Sequence, residues 1–322
     1  MSISKAHLAT VYEYLELRFS SPLLRRIASA SFAITSLVHL ASLLALLLPS
    51  LETATSIPTP ALLGALLGLS ALASTSGLAP LAWLSLWQLT TCLASLAALV
   101  ALTWPEQGLS TLLPKLSLAS WSTDPRSPSS PVLFLGHLLL HGSLTVRQTE
   151  AQRLLATSKI RSARLSIISC LAFAWLFVPL AVLASLVLAE SSSSSSDSLH
   201  FSSPLLSGPG LRGLLATGLL SSLIPCISSS LLSLSTLIFE EFINTWSCAP
   251  TSSTISLAIV RILSCVLAVL VGLVAYFFAF LPSLPPPSAA LSVASPPLLA
   301  IFILGLFAPK VSHVVSAFDF QH

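Results

Sequence analysis

The chain has 322 residues, of which 54% are hydrophobic and 8% are charged, and its formal net charge is +3 at pH 7. Soluble domains carry roughly a quarter charged residues, so this composition excludes an ordinary soluble protein and indicates a membrane protein. A helix needs about 20 apolar residues to cross the hydrocarbon core, where irregular backbone is too costly. Because the uncharged runs are long, continuous and rich in Leu and Ala, we predict an all-α polytopic membrane protein of six to eight transmembrane helices, not a β-barrel.

The first 26 residues form a predicted cytoplasmic segment ahead of the first apolar run. They contain acidic and basic side chains, including Glu13, Glu16, Arg25 and Arg26, which argues against a cleavable signal peptide and for a retained first span. Apolar and acidic residues of 8–26 fall on different sides of a helical projection. This separation predicts an interfacial helix.

A six-span membrane domain is predicted over residues 27–250. Its expected spans are 27–51, 61–77, 80–103, 132–146, 165–189 and 213–239, with loops at 104–131 and 190–212. The first loop is rich in proline and the second contains six consecutive serines, both of which are typical of loops and linkers. The C-terminal region 251–322 is expected to add one or two spans, at 262–281 and 298–309.

The distribution of basic residues predicts the orientation. If the N-terminus is cytoplasmic and all eight segments cross, 11 of the 14 Lys and Arg residues lie on the cytoplasmic side. Keeping the short segment 132–146 as a span also keeps the following basic loop inside. That loop is a topology signal or a binding surface for anionic lipid, and its basic residues are Arg147, Arg153, Lys159, Arg161 and Arg164.

The histidines within apolar segments are weak candidates for metal binding. His137 and His141 are spaced i, i+4 and share a helix face, but no third ligand accompanies them. We therefore expect polar helix contacts for both, and the same for His39 in the first span. No metal and no cofactor are expected. The five cysteines are scattered and form no CxxC pair, so they are interpreted as apolar filler.

A GxxxG pattern marks the second span. Gly64 and Gly68 would allow another helix to approach closely. We therefore predict a helix-packing role for both glycines, and a partner protein or homo-oligomer is plausible from this pattern.

The chain lacks the usual signatures of an enzyme. No carboxylate or lysine occupies the middle of a span, and there is no nucleotide-binding loop or GxSxG turn. Glu240 and Glu241 adjoin each other at the end of the sixth span. A helical projection places them and Asn244 opposite an apolar face, so we predict a water-facing pair and a membrane-interface role for the apolar residues Phe239, Phe242, Ile243 and Trp246.

Three features of residues 1–250 resemble the transmembrane-ring nucleoporins of the Ndc type. They are a polar N-terminus with Arg25 and Arg26, the basic segment "RLLATSKIRSARLSIISCLAFAWLFVPL", and "LSTLIFEEFIN" at the end of span six. The resemblance implies a six-span structural protein that anchors or shapes the membrane at the nuclear pore. It also implies a nuclear-envelope or endoplasmic-reticulum location and pore-scaffold partners.

Two other hypotheses remain open from the residues alone. One is a solute or lipid transporter or channel lined by serine hydroxyls and the span histidines. The other is an accessory subunit of a multisubunit membrane complex. In each case the expected partners are membrane lipids and other membrane proteins, with no direct nucleic-acid contact.

Overall fold

The computed structural model describes residues 10–102, 131–144, 146–157, 159–191, 209–244, 253–279 and 287–307. Every regular element in these ranges is helical, which confirms the all-α prediction. The α-helices in chain order are α1 Glu13–Phe19, α2 Pro22–Thr55, α3 Thr59–Thr75, α4 Leu78–Leu102, α5 Pro131–Leu144, α6 Gln148–Leu155, α7 Ile160–Ser191, α8 Pro209–Ile238, α9 Ser253–Phe278 and α10 Pro287–Phe307. A π-helical turn, Phe239–Ile243, continues α8.

The eight predicted spans each overlap one apolar helix, namely α2 to α5 and α7 to α10. Among the described residues, five helices are long and apolar enough to cross a membrane, and Thr59–Thr75 and Ser295–Phe307 are shorter. The protein is thus an integral, multi-pass membrane protein. Its outer surface suits lipid, since Trp83, Trp87 and Trp175 are largely exposed among other large apolar side chains.

Helix α8 lies at the centre of the bundle. It contacts α2, α3, α4 and α9. In its most apolar stretch of 18 residues 67% of the residues are buried, against 6% in the corresponding stretch of α7. Its small residues explain this position, because serine and glycine let neighbouring helices approach closely. At Gly218 a Cβ atom would lie 3.0 Å from the Cβ of Ser95 in α4.

The glycines predicted to pack helices do not do so within the described chain. Gly64 and Gly68 lie on the exposed side of α3, and a Cβ at either would meet nothing within 4 Å. Helix α3 instead packs through its leucine face, including Leu62, Leu63 and Leu66. A helix-packing role of Gly64 and Gly68 toward another chain therefore stays a prediction, while the larger buried area of the leucine face determines the packing within the described chain.

The N-terminal helix also differs from the expected interfacial helix. A turn at Ser20, with φ of 53°, folds α1 back against α2. Tyr12 and Leu15 are fully buried, and the Tyr14 ring stacks on Phe302 of α10 with centroids 6.0 Å apart. Tyr12, Tyr14 and Leu15 therefore pack against protein, whereas Leu17 is 62% exposed, and the segment packs against α2 and α10.

Candidate functional site

An ion-pair network ties the N-terminal segment to the end of α8. The Nε of Arg25 donates to Glu241 at 2.7 Å, and its Nη1 donates to Glu16 at 2.7 Å. Glu241 also accepts a 2.7 Å hydrogen bond from Thr10, and Glu13 lies 3.9 Å from Arg25. Since the Glu241 side chain is only 3% exposed, its charge depends on these partners. We call Thr10, Glu13, Glu16, Arg25 and Glu241 the N-terminal latch.

Glu241 therefore does not face water, and the projection is wrong for this residue. It follows the fully buried Leu234 and Leu237 by seven and four residues, so it lies on the core side of α8. Glu240 and Asn244 do share the outer side, where the Asn244 amide donates to Glu240 at 3.1 Å. A helix that is buried nearly all round offers no water-facing stripe, and adjacent residues then meet different surroundings.

The residues predicted to anchor at the membrane interface lie in different places. Phe239 is 4% exposed and belongs to the protein interior, so it cannot face lipid. Phe242 is 39% exposed, Ile243 is half-buried, and Trp246 lies outside the described residues. The π-helical turn, closed by the Asn244 N–H donating to the Phe239 carbonyl at 2.8 Å, changes the angular spacing from that of an α-helix. An interface role for Phe242 and Ile243 stays a prediction.

The basic loop contains one half-buried arginine and several exposed basic residues. Arg153, Lys159, Arg161 and Arg164 are exposed, and a topology or lipid role for them stays a prediction. Arg147 instead extends into the bundle, where it donates to the Ser36 hydroxyl of α2 at 2.9 Å. This contact corrects the interpretation of Arg147 as a lipid-facing residue.

The surroundings of Arg147 are largely apolar. Its guanidinium lies 5.4 Å from the centre of the Phe32 ring, which is 6.0 Å from the ring of Tyr12. Cys226 of α8 and Glu150 of α6 are ionisable groups in its vicinity. Burial lowers the pKa of Arg147 from its ordinary value, although an arginine in a protein stays protonated.

Arg147 brings a charge to the uncharged part of the first span. Ser36 lies eleven residues beyond Arg25, about 16 Å farther along α2. The sequence did not predict this contact, because charges were sought only within the spans, whereas Arg147 belongs to the loop between α5 and α6. A usable signal was present, since Arg147 follows α5, whose 14 residues extend only about 21 Å.

Polar atoms without partners gather around this arginine. Among the described residues, five buried side-chain polar atoms have no hydrogen-bond partner, and three belong to Tyr12, Ser29 and Thr149. Ser29 shares a face of α2 with Phe32 and Ser36 at spacings of three and seven residues. Thr149 lies two residues beyond Arg147, and the neighbouring Gln148 side chain accepts from the N–H of Val11 at 2.8 Å. We call Tyr12, Ser29, Ser36, Arg147 and Thr149 the Arg147 cluster.

The centre of α8 is rich in hydroxyl groups. Ser228 and Ser233 donate to helix carbonyls at 2.6 and 2.8 Å, and Ser264 of α9 donates to Ser235 at 2.8 Å. Pro225 lies within the helix, where it lacks the N–H that would otherwise bond to the preceding turn. The helix nevertheless stays continuous from Pro209 to Ile238.

The histidine predictions remain untested. His137 and His141 lie in α5, but their side chains are outside the described residues, and His39 is half-buried in α2. Within the part of the chain that the structure describes, no group of three His, Cys, Asp or Glu residues could hold a metal ion.

The fold is similar to that of a solved transporter. The chain matches no protein-family model and no curated protein. A structure of a Na+-coupled sialic acid symporter, in a substrate-bound outward-open state, matches with a TM-score of 0.79 and 19% sequence identity. The match covers 94% of this chain and 67% of the symporter. At this identity the similarity establishes the fold and not the substrate.

This similarity corrects the expected family and function. The resemblance to transmembrane-ring nucleoporins is wrong, as is the anchoring role at the nuclear pore, because the whole membrane domain has a transporter-like fold. The motif at the end of α8 gave a wrong family because aromatic and acidic residues at a helix end can also make contacts within the protein, as Phe239 and Glu241 do here. The nuclear-envelope location and the pore-scaffold partners depended on that resemblance and lose their support with it.

Proposed function

We propose that the protein transports a small solute across a membrane as a secondary transporter. The observation that carries the proposal is the symporter-like fold over 94% of the chain. A half-buried arginine near α8, the proline-containing central helix, supports it further, because charges at membrane depth are costly and usually functional. The proposal includes no catalytic activity, and the symporter of similar fold is a transporter rather than an enzyme.

Two elements of the bundle have distinct parts in the proposed transport. Helix α8, with Pro225 and its buried serines, would line the solute path at the centre of the bundle. The N-terminal latch would hold one end of that path closed, since Thr10 joins the chain before α2 to Glu241, and Arg25 of α2 pairs with the same carboxylate. Transport then requires the latch residues to separate during each cycle.

Uptake into proteoliposomes tests the proposal. The purified full-length protein is reconstituted, and the uptake of radiolabelled sugars, amino acids and organic acids, including sialic acid, is measured with and without an inward Na+ gradient. We expect at least one solute to enter above the level of empty vesicles, and dependence on the gradient would establish Na+ coupling. Absence of uptake for the whole panel, with protein that is correctly folded and inserted, would contradict a transporter function.

A matched pair of variants distinguishes the proposed path from the periphery. Pro225→Ala restores a helix hydrogen bond at the centre of the bundle, and we expect it to slow uptake. Pro179→Ala makes the same change in α7. Because only 6% of the residues in the most apolar stretch of α7 are buried, this substitution should leave uptake nearly unchanged. Equal effects of the two substitutions would argue against a path along α8.

The expected partners also remain proposals. We propose that lipid covers the exposed apolar surfaces of α4 and α7, and that exposed glycines of α3 are available to a second copy of the chain. Cross-linking of cysteines introduced at Gly64 and Gly68 in native membranes tests the homo-oligomer. Absence of a dimer band, with efficient cross-linking of a known dimer in parallel, would contradict it.

A further inference from the structure

Arg147 holds a positive charge that the described protein does not neutralise. Its recorded contacts are a neutral hydroxyl, Ser36, and the face of an aromatic ring, Phe32. None of the described carboxylates forms an ion pair with it. Arg147 is half-buried, and a partly desolvated charge without a counter-charge is unfavourable, so the arrangement is unusual for a purely structural arginine.

The nearest carboxylates are already engaged with other arginines. Glu150 lies 3.8 Å from Arg153 on the exposed side of α6. Glu241 lies 2.7 Å from Arg25 in the N-terminal latch. Each acid therefore balances another base, which leaves about one unit of positive charge at Arg147.

The hydrogen-bonding groups around this charge are also incompletely used. Tyr12 is fully buried, yet its hydroxyl has no partner, and the same holds for the buried hydroxyls of Ser29 and Thr149. A buried polar group without a partner loses its hydration and gains nothing in return. Their presence on the segments that adjoin one guanidinium without a counter-charge points to a missing ligand with several acceptor atoms and negative charge.

We propose that the Arg147 cluster binds the carboxylate group of a small, singly charged solute, which rests on the proposed transport function and specifies its substrate class. The guanidinium supplies the counter-charge and two parallel N–H donors, which match the two oxygens of a carboxylate. Tyr12 and the neighbouring hydroxyls donate to the remaining lone pairs. A single arginine favours one negative charge over two.

The cluster is covered by the N-terminal segment in this structure. Tyr12 lies between the latch residues Thr10 and Glu13, and it is fully buried. Movement of the segment opens the cluster, and it requires Thr10 to leave Glu241 and the Glu13 and Glu16 carboxylates to leave Arg25 of α2. The proposed site and the latch are thus linked through consecutive residues of one segment.

Binding is tested on the purified full-length protein in detergent, independently of transport. The probes are acetate, lactate, glutamate and sialic acid, each compared with its neutral amide or methyl ester, and the readout is the thermal midpoint at increasing concentration. We expect at least one acid to raise the midpoint while its neutral analogue does not. If no acid stabilises the protein more than its neutral analogue, the cluster holds ordered water only and the proposal is overturned.

Substitutions locate the site. Arg147→Gln should weaken binding of the stabilising acid at least tenfold, and Arg147→Lys, which keeps the charge but not the paired donors, should weaken it less. Arg153→Gln removes an arginine six residues away on the exposed side and should leave the affinity unchanged. An Arg147→Gln protein that binds as well as the unmodified protein would refute the proposal.

A second variant keeps the test decisive if Arg147→Gln does not fold. Tyr12→Phe removes only a hydroxyl that has no partner, so it should fold normally and bind the acid several-fold more weakly. Unchanged affinity in Tyr12→Phe would exclude Tyr12 from the site. Acid binding without uptake into proteoliposomes would overturn the transport function but leave the site intact, whereas uptake of neutral solutes alone would overturn only the site.

Discussion

The Arg25–Glu241 pair provides the most direct test of the latch. Arg25→Gln removes the arginine that pairs with Glu241, whose side chain is 3% exposed. The hydrogen bond from Thr10 at 2.7 Å comes from a neutral hydroxyl and does not replace this charge. Because an acid left buried without its base typically costs about 3–5 kcal/mol, we expect a loss of this order in the free energy of unfolding.

The reverse substitution should cost less. Glu241→Gln leaves Arg25 with Glu16 at 2.7 Å, and the Arg25 side chain is 20% exposed. We therefore expect a loss of about 1.5–3 kcal/mol, the usual value of one charge-assisted hydrogen bond. In the double variant the two losses should not add, and a coupling of at least about 1 kcal/mol is expected for residues in direct contact.

Reversible unfolding in mixed micelles with increasing SDS measures these free energies. Arg153→Gln is the matched control, since it breaks a 3.8 Å pair whose side chains are 43% and 50% exposed. Exposed pairs contribute about 0–1 kcal/mol, so this control should be nearly neutral. If Arg25→Gln costs no more than Arg153→Gln, or if the double variant is additive, the latch does not stabilise the closed end of the bundle.

The remaining predictions concern the Tyr12 hydroxyl and the glycine contacts. Tyr12→Phe should leave the free energy of unfolding of the unliganded protein unchanged or raise it by about 1 kcal/mol, since it removes a buried hydroxyl without a partner. A clear decrease of this free energy in the same SDS assay would show that the hydroxyl has a partner. Burial raises the pKa of Tyr12, whereas an unfolded tyrosine titrates near pH 10. The contribution of Tyr12 to the free energy of unfolding should therefore be constant below about pH 10 and should decrease as the pH rises further. Tyr12→Phe should remove this part of the loss of stability at alkaline pH. The same dependence of stability on pH in the variant and in the unmodified protein would contradict it. Gly218→Ala should cost about 1–3 kcal/mol by crowding Ser95, whereas Gly64→Ala should be neutral or stabilising; equal effects would contradict the close contact between α4 and α8.

Functionally, the latch and the Arg147 cluster place the unusual chemistry of this chain at one end of the bundle. Both use the segment before α2, which contains few residues but contacts α2, α8 and α10. Under the proposed transport function, this short segment is the part of the closed end that would move in each cycle.

Much of the architecture could be predicted from residue order. The uncharged runs locate all eight apolar helices, because the bilayer requires long apolar segments whatever their packing. Proline and glycine also indicate breaks, as at the turn between α3 and α4, where Gly77 has φ of 94°. The family could not be predicted in this way, since a few aromatic and acidic residues at a helix end occur in unrelated folds.

The sequence by itself determined that the protein is a bundle of membrane helices, because the cost of exposing polar backbone to lipid depends only on local composition. It did not determine which side of each helix faces inward, since Leu, Ala and Ser are compatible with both lipid and protein contacts. Only the tertiary structure decided that Glu241 is buried, that Gly218 rather than Gly64 forms a close contact, and that Arg147 enters the bundle. These facts depend on residues more than a hundred positions apart in the chain, whose proximity only packing creates.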